Sequence, residues 1–248
     1  MRKTWQPPSP VSREAQANKI RAILQDHLQT GLDGTKCLEI GCADGSICHF
    51  LSTDLQETFG IEFELGKLVS SPYLGDEHLF LAQADGRRLP FPGAYFDLVV
   101  LAQVYEHMTD HESLSAEVFR VLKPGGICFF SGPNRWQVIE PHYFLPFLSW
   151  LPHQCASRYL KLSGRGKTFD IHPRGYHSLK RLWSNFHVVD YTWKILKYPR
   201  KFTLDVHHGR IGLMAHMPAW VLKTLKVFYP NFNWILVKEI HDAGNANG

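Results

Sequence analysis

Residues Cys37 to Ser46 read Cys-Leu-Glu-Ile-Gly-Cys-Ala-Asp-Gly-Ser, an apolar run that breaks into a tight turn with two glycines. About 20 residues past Gly41, the interval at which a carboxylate grips ribose hydroxyls in doubly wound sheets, the next apolar run ends on Glu62. Gly41 and Gly45 can take backbone angles, and allow a ligand approach, that a Cβ would obstruct. The turn therefore reads as a floor for an adenosyl ligand, whose ribose hydroxyls Glu62 would accept at ~1.5–3 kcal/mol for each charge-assisted bond. Position 43 is Ala and position 46 is Ser, so Gly-x-Gly-x-x-Gly for a dinucleotide is absent, as is a Gly-x-x-x-x-Gly-Lys-Ser/Thr phosphate loop. Taken alone, the segment is also consistent with an ordinary strand-to-helix turn.

The elements that must position this turn follow from periodicity. Ser12 can cap a helix running to about Thr30, with Ile20, Ile23, Leu24 and Leu28 on one face. Strands and helices then alternate: strand 36–40, helix 45–52, strand 57–61, helix 64–70, strands 79–83 and 96–101, helix 111–122 and strand 126–131. Such alternation predicts an α/β fold with a parallel sheet covered on both faces. Lys123-Pro124-Gly125-Gly126 reads as a turn before the last of these strands. Residues 134–172 carry aromatics, prolines and basic residues without clear period, as an inserted lid or substrate region would. Beyond them, a helix over 178–183, a strand over 187–192, a helix over 218–228 with Pro at its start, and a strand over 234–240 complete the sheet, the two late strands forming an antiparallel hairpin. The expected division is a helical cap (1–34), a cofactor-binding core (35–133), the inserted lid (134–172) and the completion of the sheet (173–248).

Composition sets outer limits. With 248 residues, 44% hydrophobic and 20% charged, the chain can bury a full core. The five cysteines (37, 42, 48, 128, 155) form no Cys-x-x-Cys pair and read as small core residues in a reducing, cytoplasmic setting. The N-terminus lacks the 7–15-residue apolar stretch of a secretory signal. Val138 to Leu151 falls short of the ~20 apolar residues needed to span a bilayer, so a soluble or membrane-peripheral protein is expected. Net charge is only +4, yet residues 158–210 hold twelve Lys or Arg against three Asp, an excess that suggests an anionic partner.

Four further segments stand in order: Leu-Glu-Ile-Gly-Cys-Ala-Asp-Gly (38–45), Gly-Ile-Glu (60–62), Ala-Asp-Gly-Arg-Arg-Leu-Pro-Phe (84–91), and Phe-Asp-Leu-Val-Val (96–100) leading through Glu106-His107 to Arg-Val-Leu-Lys-Pro-Gly-Gly (120–126). Over roughly Thr35 to Asn134 the chain resembles the class I S-adenosylmethionine-dependent methyltransferases of the broad group that includes quinone-biosynthesis enzymes. The resemblance implies a Rossmann-like, doubly wound, mostly parallel seven-stranded sheet. It also implies that Glu39, Gly41, Ala43 and Gly45 line the methionine part of S-adenosylmethionine, with Glu39 holding its ammonium directly or through water. Glu62 would take the ribose, Asp85 the adenine amine with Gly86 beside it, and Ala102 and Gln103, just past the fourth strand, would face the sulfonium. Ala43 departs from the family, which usually has a second glycine there.

Methyl transfer from a sulfonium is an in-line displacement, and a base is needed only when the nucleophile is a hydroxyl. Glu106, His107 and His142 are the catalytic candidates, with Tyr143 and His172 as acceptor-binding residues. His107 reads equally well as a packed histidine that orients a helix start. In some quinone O-methyltransferases of this group an acidic residue three places before such a Glu-His pair completes a divalent-metal site. Here that place is Gln103, a poorer neutral ligand, so no metal is expected.

The expected acceptor is a small molecule, or a lipid-linked or glycan compound. The 134–172 aromatics serve either as an apolar lid at a membrane interface or simply as the core of the insertion. RNA methylation through the basic 158–210 region is the alternative. Against it stand the missing Asn/Asp-Pro-Pro-Tyr/Phe signature, the lack of a cysteine-nucleophile motif, and the absence of an appended RNA-binding module. A non-catalytic relative that keeps the fold is a third reading. No oligomeric state follows from the sequence.

Overall fold

The computed structural model describes residues 10–204 and 214–240. Its first helix, α1 (Pro10–Leu28), starts two residues before the expected cap at Ser12, whose side chain lies outside the described part. Ile20, Ile23 and Leu24 are fully buried against the sheet, as the spacing predicts.

The alternation that follows matches the sequence reading closely: β1 (Lys36–Ile40), α2 (Ser46–Ser52), β2 (Glu57–Glu62), α3 (Leu65–Val69), β3 (Leu79–Gln83), β4 (Phe96–Ala102), α4 (His111–Val121) and β5 (Leu122–Pro133). A small hairpin follows, β6 (Ile139–Glu140) and β7 (Leu145–Pro146), then α5 (His153–Leu162). The chain closes with α6 (Tyr176–Leu182), β8 (His187–Asp190), α7 (Thr192–Lys197), α8 (Ala219–Thr224) and β9 (Asn231–Val237).

Seven strands form one sheet in the order β3-β2-β1-β4-β5-β9-β8. β1 to β5 are parallel, whereas β9 runs antiparallel to both β5 and β8, the expected late hairpin. The order reverses between β1 and β4, and ligands of such sheets bind outside the carboxyl ends of the strands at that switch point.

Alternate residues of each strand feed opposite faces. Leu38, Ile40, Val99, Leu101 and Trp234 join α4 and α6 on one side. Cys37, Val100, Phe129 and Ile235 join α1, α2 and α7 on the other. Four cysteines are buried, Cys155 is exposed, and all five are free.

Three readings are corrected. Lys123 to Gly126 is not a turn between elements; β5 already begins at Leu122, and these residues are a bulge where the β4–β5 pairing shifts between Phe96 and Leu98. Gly125, with φ 78°, hydrogen-bonds to Lys238 there. The strand expected over 234–240 runs instead over Asn231–Val237. Finally, α7 and a 3-10 turn at Pro199–Phe202 occupy a stretch to which the sequence assigned no element beyond the end of the strand at Thr192.

Part of the basic 158–210 excess is used internally. Lys194 and Lys201 both pair with Asp26 of α1, Lys197 donates to the carbonyls of Ala215 and Met217, and Arg174 pairs with Glu112. Among the described residues no helix is long and apolar enough to cross a membrane.

Candidate active site at the carboxyl edge of the sheet

The turn after β1 is clamped to β2, since the Gly41 and Cys42 N–H groups both donate to the Ile61 carbonyl at 2.8 and 2.9 Å. Gly41, Ala43 and Gly45 all take left-handed angles, with φ of 73°, 52° and 78°. An alanine in that region sits roughly 1–2 kcal/mol above its right-handed form, which gives the family departure at 43 a physical meaning. Ala43→Gly relieves the strain but loosens the unfolded chain, so a net gain below about 1 kcal/mol is expected. A melting temperature raised by ~1–3 °C would show it, and a lowered one would refute it.

Glu62 ends β2, 7% exposed. Its Oε2 accepts from the Ala43 N–H and its Oε1 from the Glu64 N–H, each at 3.0 Å, so the carboxylate is held beside the turn. Asp85 follows β3 and accepts from the backbone N–H and guanidinium of Arg87, which hold its carboxyl below the usual range. Gly86 lies where an added Cβ would stand 2.9 Å from both Ile40 and Met108, so the backbone packs directly against those side chains there. Glu39 is buried beside α2 and accepts from the Cys48 thiol at 2.8 Å; burial pushes its pKa up to about 7.

Ala102 is corrected. It is the last residue of β4 rather than a residue past it, and its side chain packs into the apolar cluster on the α1 face. Gln103 marks the actual exit of the strand, with φ 58°, its N–H on the Ser131 carbonyl and its Nε2 on Asn231 at 2.9 Å.

A 3-10 turn over Tyr105–His107 then presents the acceptor-side candidates. The Glu106 side chain is fully buried, and neither carboxylate oxygen has a hydrogen-bond partner among the described residues. Burial pushes its pKa up to about 7. The His107 and His142 rings meet edge to face at 5.2 Å. Burial lowers His107; in His142 burial acts the same way, but the hydrogen bond and charge of Glu140 outweigh it and the pKa rises.

Glu106, His107 and His142 therefore converge, their ligand-type atoms within 4.8 Å of one another, a spacing that can also take a divalent cation. Sequence reasoning missed Glu140, which is fully buried and fixes His142 by accepting from Nδ1 at 2.6 Å and from the Tyr143 N–H at 2.8 Å. The signal was the Glu-Pro-His spacing, a carboxylate two residues before an imidazole.

The two acceptor-binding candidates border this cluster. The His172 N–H donates to the Glu106 carbonyl at 2.7 Å, and its ring lies 4.5 Å from His153. Burial lowers its pKa. Tyr143 donates its phenol to Asp170 at 2.8 Å.

The 134–172 stretch has a core of its own, built from Leu145, Leu148, Ala156, Leu160, Phe169 and Ile171. Most of the aromatics that the sequence singled out lie outside that core. Phe144 is 70% exposed, and Trp136, Phe147 and Trp150 form an edge-to-face chain on the surface.

A family model described as a methyltransferase domain matches residues 38–130. The chain is 33% identical over 106 residues to a probable S-adenosylmethionine-dependent methyltransferase of Mycolicibacterium smegmatis, covering 41% of this chain but only 39% of that protein. It is 32% identical over 173 residues to a ubiquinone/menaquinone biosynthesis C-methyltransferase of Cupriavidus metallidurans, covering 62% of this chain and 67% of the relative. Among solved structures, an S-adenosylmethionine-dependent methyltransferase from Mesorhizobium loti superimposes with a TM-score of 0.58 at 16% identity, over 87% of this chain and 96% of that one.

Proposed function

The chain belongs to the class I S-adenosylmethionine-dependent methyltransferases, and from that premise we propose that it methylates a hydroxyl of a small-molecule, lipid-linked or glycan acceptor, with Glu106 as the base. One observation carries this reading. Glu106 is a buried carboxylate without a hydrogen-bond partner among the described residues, flanked by two imidazoles just past the exit of β4. As the acceptor oxygen attacks the methyl carbon and the S–CH3 bond breaks, the hydroxyl proton passes to Glu106, and S-adenosylhomocysteine leaves. Aligning oxygen, carbon and sulfur supplies on the order of 7–11 kcal/mol of the barrier. His107 and His142 flank the carboxylate, and Tyr143 and His172 border the acceptor. The exposed aromatics of the insertion favour an acceptor with an apolar portion, and contact of that face with a membrane surface belongs to the same reading. The internal pairing of Lys194, Lys197, Lys201 and Arg174 weighs against RNA.

The test is transfer of labelled methyl from S-adenosylmethionine into fractionated phenol and quinol, lipid, glycan and RNA pools. Label in a hydroxyl-bearing small molecule, lipid or glycan is expected, and label in RNA alone would overturn the reading. With the acceptor in hand, kcat/KM should rise with pH and level off above about 7, since the base works only when ionised and Glu106 is held near that value. Glu106→Gln should lower kcat/KM by about 10²–10⁴-fold with cofactor affinity unchanged. A divalent cation on the same three donors is the competing way to activate the hydroxyl. Activity that survives EDTA supports the base; activity lost to EDTA and restored by a metal refutes it.

A further inference from the structure

A cleft of about 250 Å³ opens between the start of the insertion and α6, outside the transfer site. Arg135, Trp136, Arg174, Gly175, Tyr176 and His177 supply most of its wall, and no carboxylate lines it. The Arg135 guanidinium stacks over Trp136 at 5.5 Å. Arg174 reaches a single carboxylate, that of Glu112, which is 68% exposed and screened by solvent. The backbone is drawn tightly against the indole, since a Cβ on Gly175 would stand 2.7 Å from Trp136 Nε1. Lys226 lies over the Tyr176 ring at 5.1 Å and adds a further positive charge beside the wall.

Arg135 and Arg174 both line this cleft between aromatic walls, and two guanidiniums there, that of Arg174 exchanging the exposed Glu112 carboxylate for the ligand, match an oxyanion that accepts paired N–H bonds. The volume lies below the 300–1,000 Å³ typical of whole-ligand pockets, so it suits one charged group rather than an entire acceptor. A short extended segment joins the cleft to the chemistry. His172 touches the Glu106 backbone, and Arg174, two residues on, bonds its N–H to the Tyr105 phenol and forms the cleft wall. At 3.3–3.6 Å per residue the two sites are on the order of 10 Å apart.

We propose that this cleft binds a phosphate or diphosphate group carried by the methyl acceptor, gripped by Arg135 and Arg174. The assignment of that group to an acceptor rests on the methyl-transfer reading; the binding itself does not. Inorganic pyrophosphate titrated calorimetrically into the full chain, without cofactor, should bind saturably. Arg135→Gln and Arg174→Gln should each weaken it at least tenfold while leaving S-adenosylmethionine affinity unchanged. Phosphatidylglycerol vesicles supply the second arm. Vesicle binding that pyrophosphate displaces places the group on a lipid, and pyrophosphate binding without vesicle binding places it on a soluble acceptor; both support the site. No saturable pyrophosphate binding, or binding that survives both substitutions, would overturn it. Because the titration needs no methyl transfer, a failure of the cleft and a failure of the proposed reaction are read separately.

Discussion

Replacement of Glu62 by alanine is expected to weaken S-adenosylmethionine binding by about 10²–10⁴-fold, the loss of two charge-assisted hydrogen bonds at ~1.5–3 kcal/mol each. The carboxylate is already oriented for the task, because the Ala43 and Glu64 N–H groups fix its two oxygens at the mouth of the turn. Pre-fixing the group means that little side-chain freedom is lost when a ribose arrives. The substitution also leaves the buried Ala43 N–H and the part-buried Glu64 N–H without their acceptor, so a fall in melting temperature should accompany the loss. Equilibrium dialysis with labelled cofactor decides it. Affinity within threefold of the parent would remove Glu62 from the ribose site, whereas Glu62→Gln should fall between the two.

The second large effect is expected at Gly41. An alanine there must hold φ near 73°, and its Cβ would stand 2.5 Å from Val104 Cγ2 and 2.9 Å from Cγ1. The left-handed angle costs roughly 1–2 kcal/mol and the overpacking a further ~1–3 kcal/mol. A total near 3 kcal/mol lowers the melting temperature by ~6–12 °C in a chain of this size. Val104 immediately follows Gln103, so pushing it aside also disturbs the segment that presents Glu106. Val104→Ala in the Gly41→Ala background should recover the steric part of the loss and leave the backbone part. A double variant no more stable than the single one would show that the contact is not the cause.

The parallel half of the sheet was legible because its central strands, β1, β4 and β5, are buried on both faces and carry apolar runs between turn signals, while the edge strand β3 is largely exposed. Its edges were less so. Ala102 belongs to β4 because it still pairs with Ser131 of β5, a partner 29 residues on that position 102 itself does not announce. α7 spans six residues and the Pro199 turn four, too few for a helical period to emerge from a lysine- and aromatic-rich stretch. Those turns exist because Ile195 and Phe202 reach the core and Asp26 receives Lys194 and Lys201. Glu39, Glu62 and Asp85 could be singled out because they follow one another at or just past the ends of consecutive strands. Glu140 could not, since its meaning arises only when the hairpin brings it and His142 back to Glu106-His107 across the whole of β5.

The two ends of the insertion are tied at one point. The Tyr105 phenol donates to the Pro133 carbonyl and accepts from the Arg174 N–H, while the Arg135 N–H reaches the Arg174 carbonyl. A loop closed at its base costs the parent domain little as it lengthens, about 0.6 kcal/mol per doubling. With a core of its own, the intervening stretch becomes an exchangeable cassette. Under the proposed function, exchanging it wholesale would alter what meets the acceptor and leave the strand ends beneath it in place.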